Sequence, residues 1–70
     1  MLTREMLAAR IRSEYRESPG LRLTVPQACR FWRIEERLCR AILQELTADG
    51  FLARTSDGAF IERSTVAEAV

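Results

Sequence analysis

The sequence predicts a small α+β domain that is mostly helical, with the element order helix–strand–helix–helix–strand–strand. Three observations predict this order. Apolar residues recur at helical spacing in three segments, and each segment is bounded by a helix start or stop signal. A short segment of alternating apolar and polar residues precedes the second helix. The pair Asp57-Gly58 is a strong signal for a hairpin turn of two residues.

The first helix is predicted to begin after Thr3, whose side chain can accept a hydrogen bond from an unpaired N–H group of the first turn. Charged residues occupy one side of this helix. The other side carries four apolar residues, Leu7, Ala8, Ile11 and Tyr15. The run Ser18-Pro19-Gly20 predicts the end of the helix, since it combines two strong helix breakers.

A short strand is predicted at residues 21–24, and the second helix follows at once. Thr24 and Gln27 have the spacing of a capping box, in which the side chain of each residue binds the backbone N–H of the other. The predicted core face of this helix consists of Val25, Ala28, Cys29 and Trp32. Phe31 falls outside that arc. We expect Phe31 to pack under the first helix, with exposure for a partner as the alternative.

A third helix is predicted over residues 35–49, and Gly50 supplies the left-handed residue that commonly ends a helix. One arc of this helix is apolar and is expected in the core: Leu38, Cys39, Ile42, Leu43 and Leu46. The opposite arc is polar: Arg33, Glu36, Arg37, Arg40, Gln44 and Thr47.

Two strands, over residues 51–55 and 59–63, complete the predicted fold. A two-residue turn would place Arg54 opposite Ile61, and Arg54 and Arg63 would then lie on the same side of the hairpin. The domain is therefore predicted to span residues 1–63. Residues 64–70 carry no clear pattern and are predicted to form a C-terminal tail.

The composition argues against several functional classes. No apolar run approaches the roughly 18 residues of a membrane span, and charged residues interrupt any signal peptide near the N-terminus. We therefore expect a cytoplasmic protein with no membrane partner. The chain has no His, no Lys and no Gly-rich phosphate loop, so we expect neither an enzyme nor a cofactor. Cys29 and Cys39 are too few for a zinc site and are interpreted as small buried residues.

The formal net charge of +1 gives no support for nucleic-acid binding by itself. All eleven basic residues are Arg. Guanidinium groups suit phosphate and guanine, although an Arg-only composition is also what a GC-rich coding sequence produces. Only the distribution of these side chains can therefore indicate a nucleic-acid partner.

Residues 24–52 resemble the winged helix-turn-helix DNA-binding superfamily, in particular small bacterial domains with a wing of the MarR and GntR type. The matching positions are a small residue, an apolar turn residue, the end of the recognition helix and the apolar pair after it: Cys29, Ile34, Leu46 with Gly50, and Phe51-Leu52. With the first helix and the second wing strand, the resemblance covers about residues 3–63.

Two positions depart from the family pattern. Arg33 stands where the turn usually has Gly, so it must adopt a backbone conformation that Gly adopts more easily. Glu35, followed by Glu36, stands where the recognition helix usually starts with Ser or Thr.

The resemblance also implies that the sulfur atoms of Cys29 and Cys39 lie close together, because the family packs these two positions against each other. A redox-sensitive disulfide is the alternative to two reduced thiols. We expect reduced thiols, since helix-to-helix geometry often forbids a disulfide and cytosolic thiols stay reduced.

The resemblance implies a transcriptional regulator that reads double-stranded DNA with its third helix and wing. Base edges would be read by Arg and Gln side chains, and other Arg side chains, with Arg22 nearby, would contact phosphates. The implied DNA-binding residues are Arg33, Glu36, Arg37, Arg40, Gln44, Arg54 and Arg63. A homodimer is also expected, because duplex sites are commonly two-fold.

A second hypothesis is a winged helix that mediates protein–protein interaction and does not bind DNA. The near-zero net charge favours it, and so does the pair Glu35-Glu36, because two carboxylates at a helix N-terminus would repel a phosphate. Four large apolar residues in so small a chain point the same way: Phe31, Trp32, Phe51 and Phe60.

Overall fold

A computed structural model describes residues 3–64 and confirms a mostly helical α+β fold with a three-stranded antiparallel sheet. The element order is the predicted one. In chain order the elements are α1 (Arg4–Glu17), β1 (Arg22–Leu23), α2 (Val25–Trp32), α3 (Glu36–Ala48), β2 (Leu52–Arg54) and β3 (Phe60–Glu62). The predicted tail, residues 64–70, lies outside the described residues except for Ser64.

Side-chain caps determine where α1 and α2 begin. The hydroxyl of Thr3 accepts a hydrogen bond from the N–H of Met6 at 3.1 Å. The predicted capping box of α2 is present in full: the N–H of Thr24 donates to Gln27 Oε1 at 2.9 Å, and the N–H of Gln27 donates to Thr24 Oγ1 at 3.4 Å. Each cap satisfies N–H groups that have no partner within the helix.

Gly50 ends α3 as predicted, with a φ of 87°. The N–H of Gly50 donates to the carbonyl of Thr47 at 3.1 Å, and the N–H of Phe51 donates to the carbonyl of Leu46 at 3.0 Å. These two bonds pair carbonyl groups that the helix end would leave free. They also carry the chain directly into β2, which holds the hairpin against α3.

The hairpin register differs from the prediction by one residue. Arg54 lies opposite Phe60, whereas the prediction placed it opposite Ile61. Neighbouring strand residues point to opposite faces, so Arg54 shares a face with Phe60, whereas Arg63 lies beyond the end of β3. The predicted pairing of Arg54 with Ile61 is therefore wrong, and with it the reason for placing Arg54 and Arg63 on the same side of the hairpin.

The cause of the shift is a loop of three residues instead of two. The N–H of Thr55 donates to the carbonyl of Ala59 at 2.8 Å, so these two residues close the ladder. Gly58 has a φ of 86°, the left-handed value that a three-residue loop requires at its last position. The sheet order is β1-β3-β2, which leaves β1 and β2 at the two edges.

A single core lies between the helices and the sheet. Its most deeply buried large side chains are Ile11, Tyr15, Cys39, Ile42, Leu43, Leu46 and Leu52. The hydroxyl of Tyr15 donates to the carbonyl of Phe60 at 3.0 Å and so joins α1 to β3. Burial raises the pKa of Tyr15, so the hydroxyl keeps its proton and remains a donor.

Phe31 lies on the surface, with 55% of its area exposed. The expectation that it packs under the first helix is therefore wrong. The reason is the position of α1, which packs mainly against α3 and β3 and leaves this side of α2 uncovered. The ring of Phe31 instead meets Trp32 edge-on, with 5.3 Å between the ring centroids.

Candidate nucleic-acid interface

The outer face of α3 carries three long polar side chains that the sequence analysis selected. Arg37, Arg40 and Gln44 fall within about 60° of one another around the helix, at 100° per residue. All three are exposed. The opposite side of the helix is buried through Cys39, Ile42, Leu43 and Leu46. The buried side fixes the helix in the fold, and the three polar side chains project into solvent.

An ion pair joins two of the selected residues on α3. Nη2 of Arg40 donates to Oε2 of Glu36 at 2.9 Å, one helical turn away. Both side chains are more than half exposed, so the pair contributes little to folding stability. Its larger effect is on local charge, because the carboxylate of Glu36 offsets the positive charge of Arg40.

An open groove of about 420 Å³ separates α3 from the hairpin, and the first turn of α2 closes one end. We call it the α3–hairpin groove. The polar residues that line it are Thr24, Arg40, Gln44, Arg54 and Asp57. Three of the seven residues selected from the sequence therefore meet in this groove, on two different elements.

Arg54 reaches the α3–hairpin groove because of the hairpin register. It lies opposite Phe60 and shares the face of Leu52, which is buried against the helices. The guanidinium of Arg54 lies 6.0 Å from the centroid of the Phe60 ring, at the outer limit of a cation–π contact. Within residues 3–64, Arg54 has no carboxylate partner. Its charge is therefore available to a ligand in the groove.

Asp57, at the hairpin tip, is a lining residue that the sequence analysis did not select. The hydroxyl of Thr55 and the guanidinium of Arg22 both donate to its carboxylate. The hydrogen bond from Thr55, followed by the charge of Arg22, holds the pKa of Asp57 below its usual range. The Thr-x-Asp spacing before Gly58 is typical of turns held by side chains, and it could have identified this residue.

Arg22 therefore has a different setting from the one expected for a contact to flanking DNA. Its guanidinium is bound by Asp57, across the sheet from β1 to the hairpin tip. The pair lies on the surface and is more than half exposed at both side chains.

Arg33 ends α2 in the left-handed conformation, with φ 54° and ψ 52°. Gly adopts this conformation more easily than any other residue. The turn is closed by the N–H of Ile34, which donates to the carbonyl of Cys29 at 3.2 Å. The side chain of Arg33 is exposed beside the first turn of α3. Arg33 and Arg37 thus place two cations at the same end of α3, and neither is ion-paired within residues 3–64.

Two carboxylates occupy the N-terminus of α3. Glu35 is the N-cap residue, but its side chain makes no capping hydrogen bond, and Glu36 lies in the first turn. Both favour the positive end of the helix dipole and both oppose an anion there. A phosphate near this end would therefore be bound by the guanidinium group of Arg33, and not by the helix N-terminus itself.

Arg63 lies outside the α3–hairpin groove. It follows β3 at the far end from the hairpin tip, and its N–H donates to the carbonyl of Phe51 at 2.9 Å. The groove lining contains Arg54 and not Arg63. The structure thus brings Arg40, Gln44 and Arg54 together and separates Arg63 from them.

The two cysteines are free thiols, and Cys29 on α2 is only partly buried, whereas the sequence analysis interpreted both as buried. Cys39 is fully buried, and burial raises the pKa of its thiol to about 12, with a further contribution from the neighbouring Cys29. This proximity agrees with the closeness implied for the two sulfur atoms. A thiol with so high a pKa is a poor nucleophile at neutral pH.

Within the part of the chain that the structure describes, no three His, Cys, Asp or Glu side chains are grouped as a metal site requires. None of the helices between residues 3 and 64 combines the length and the apolar content needed to cross a membrane. Comparison with known proteins gave no match to a family model, a curated protein or a solved structure.

Proposed function

We propose that the chain is a winged helix-turn-helix domain that binds double-stranded DNA and acts in transcription regulation. The observation that carries this proposal is the α3–hairpin groove, where Arg40 and Gln44 of α3 meet Arg54 of the hairpin. A helix with exposed Arg and Gln side chains suits the major groove, and an adjacent basic hairpin suits the flanking backbone. In this proposal α3 is the recognition helix and the hairpin is the wing.

The side chains on α3 divide into readers of bases and a residue that positions one of them. Arg37, Arg40 and Gln44 are all exposed on α3, so they are assigned to base edges, where Arg pairs with guanine and Gln with adenine. Glu36 holds Arg40 by the 2.9 Å ion pair. Glu36 would either keep that role or accept a hydrogen bond from the amino group of a cytosine.

Phosphate contacts are assigned to Arg33 at the turn and Arg54 on the wing. Neither guanidinium is ion-paired within residues 3–64. Arg33 precedes α3 in the chain, and Arg54 follows it. Contacts of this kind set the register of a protein on the duplex without carrying sequence information. Since only a few phosphates are engaged, the salt dependence of binding should be modest, with a log–log slope of about −2 to −4.

The proposal is tested by NMR mapping of the binding surface. A duplex of random sequence is titrated into ¹⁵N-labelled protein at low salt, where nonspecific contacts are strongest. The expected result is that amide signals shift along the exposed face of α3 and at the hairpin tip, while those in the middle of α1 do not. Shifts confined to α1, or no shifts, would reject this assignment.

A homodimer remains part of the proposal. Two copies would place their recognition helices in successive turns of the major groove, about 34 Å apart. Sedimentation of the free protein and of its complex with a duplex would establish whether two copies assemble.

The alternative function is that of a protein-interaction winged helix without DNA binding. The specific observation in its favour is the Glu36–Arg40 ion pair, which together with Glu35 reduces the positive charge of α3. The NMR titration distinguishes the two functions, because an interaction module of this kind would not respond to the duplex.

A further inference from the structure

A second surface of the molecule has no role in the proposed DNA contact. Phe31 and Met6 are the large apolar side chains that lie more than half exposed within residues 3–64, at 55% and 52%. Met6 stands alone on α1. Phe31, in contrast, borders a groove between β1 and α2 whose lining residues are Arg22, Leu23, Gln27, Arg30 and Phe31. We call this surface the Phe31 groove.

The aromatic side of the Phe31 groove is built on a buried ring. Phe31 meets Trp32 nearly perpendicularly, at 79°, with 5.3 Å between ring centroids. Trp32 is itself buried and contacts Tyr15, with 6.1 Å between centroids. Phe31 therefore rests on a ring that the core holds in place, and it can receive an apolar side chain with little loss of conformational freedom.

The charges in the Phe31 groove are all positive. Arg22 and Arg30 line it, and no carboxylate does, whereas Glu45 lines the groove beside α1 and Asp57 lines the α3–hairpin groove. Arg30 makes no ion pair with any residue from 3 to 64, and Arg22 is held in position by Asp57. An apolar platform beside the unpaired guanidinium of Arg30 is complementary to an acidic segment that carries an apolar side chain.

The position of Phe31 around α2 separates it from the α3–hairpin groove. Phe31 lies about 140° around α2 from Pro26, which lines the α3–hairpin groove, at 100° per residue. The other wall of the Phe31 groove is β1, which is an edge strand of the sheet. Phe31 thus lies on a different side of α2 from the α3–hairpin groove, and the two grooves meet only where Arg22 contacts Asp57.

We propose that the Phe31 groove binds an acidic segment of a partner protein. A large apolar side chain of that segment would pack on Phe31, and a carboxylate of the segment would pair with Arg30, while Arg22 stays bound to Asp57. A protein segment is favoured over nucleic acid because the centre of the surface is an apolar ring with only one unpaired guanidinium beside it, too little charge for a phosphate backbone. This interaction does not depend on DNA binding.

The probe for the test is a library of random dodecapeptides displayed on phage and selected on the immobilised protein. The expected result is enrichment of peptides that contain two or more Asp or Glu residues around an aromatic or long aliphatic residue. Synthetic versions of the enriched peptides should bind at least tenfold more weakly to Phe31→Ala and to Arg30→Glu. Both positions are exposed, so both variants should keep the circular dichroism spectrum of the parent.

Matched controls separate this surface from others. Met6→Ala removes the second exposed apolar side chain, and Arg10→Glu reverses an exposed charge on α1, so neither should change peptide binding. The proposal is overturned if no acidic peptides are enriched, or if the enriched peptides bind Phe31→Ala and Arg30→Glu as tightly as the parent. It is also overturned if Phe31→Ala weakens duplex binding as much as Arg54→Ala does, since the surface would then belong to the nucleic-acid interface.

Discussion

The backbone of Arg33 is the most strained feature at the scale of single residues. It is the one residue other than Gly with a positive φ within residues 3–64, at 54°. The left-handed conformation brings Cβ close to the following carbonyl, a cost that Gly avoids. The cost is tolerated because the turn must redirect the chain from α2 into α3 within residues 33–35.

Replacing Arg33 should therefore separate strain from charge. Arg33→Gly is expected to raise the free energy of unfolding by up to about 1 kcal/mol, because it relieves the strained conformation. Arg33→Ala removes the same charge but keeps a Cβ, so it should not stabilise the domain. Urea unfolding of the parent and both variants measures the difference. Equal stability of the Gly and Ala variants would show that the left-handed turn is not strained.

Leu43 tests the centre of the core. Leu43 lies on α3, and its side chain has no exposed area and packs into the core. Truncation to Ala removes apolar contacts and leaves a cavity, at an expected cost of about 2–5 kcal/mol. A domain of this size has little stability to spare, so thermal melting should show a large drop or loss of the transition. Gln44→Ala, one residue along on the exposed face, is the control and should melt close to the parent.

At the scale of elements, the hairpin is the part of the fold where the observed structure differs from the one that local sequence signals predicted. Asp57-Gly58 is compatible with loops of two or three residues, and the sequence analysis chose two. The three-residue loop places Leu52 and Phe60 on one face, where both are buried, while a two-residue loop would have turned one of them outwards. The deciding factor was thus the burial of two distant apolar residues, which no local turn signal contains.

The helices were predictable because their ends depend on neighbouring residues. The capping box at Thr24, the cap at Thr3 and the stop at Gly50 all lie where the sequence indicated. The placement of Phe31 was not predictable in the same way, because it depends on which elements α1 packs against. The candidate-site residues on α3 could be predicted from helical periodicity, whereas placing Arg54 of the hairpin required the correct strand register.

The hairpin tip should weaken in acid. In the folded state the hydrogen bond from Thr55, with the charge of Arg22, lowers the pKa of Asp57 below its ordinary value of 3.8. A carboxylate with a lowered folded pKa stabilises the fold above its unfolded pKa, and that contribution is lost as the pH falls through the folded pKa. The difference in melting temperature between the parent and Asp57→Asn should therefore be present at pH 7 and disappear towards pH 2.

The control for this prediction removes the main cause of the shift. In a Thr55→Ala background, Asp57→Asn should change the melting temperature less at pH 7. A difference between parent and Asp57→Asn that stays constant from pH 7 to pH 2 would contradict the assigned role of the Asp57 carboxylate.

At the scale of the whole molecule, the two proposed functions lie on two surfaces of one small domain. The α3–hairpin groove carries the residues proposed for DNA, and the Phe31 groove lies around α2 from it. The net charge of +1 does not reveal this arrangement, because the acidic residues of the chain nearly equal the Arg residues in number. The distribution of charge over the fold is therefore more informative here than its total.

The most direct test of the central claim is the salt dependence of binding to a random duplex, measured by fluorescence anisotropy. We expect binding at low salt that weakens as salt rises, with a log–log slope smaller by about 1 in Arg33→Ala and in Arg54→Ala. Arg63→Ala is the matched control, because Arg63 lies outside the α3–hairpin groove and its loss should leave the slope unchanged. Absence of binding at the lowest salt, or an equal loss of slope in Arg63→Ala and Arg54→Ala, would contradict the proposed interface.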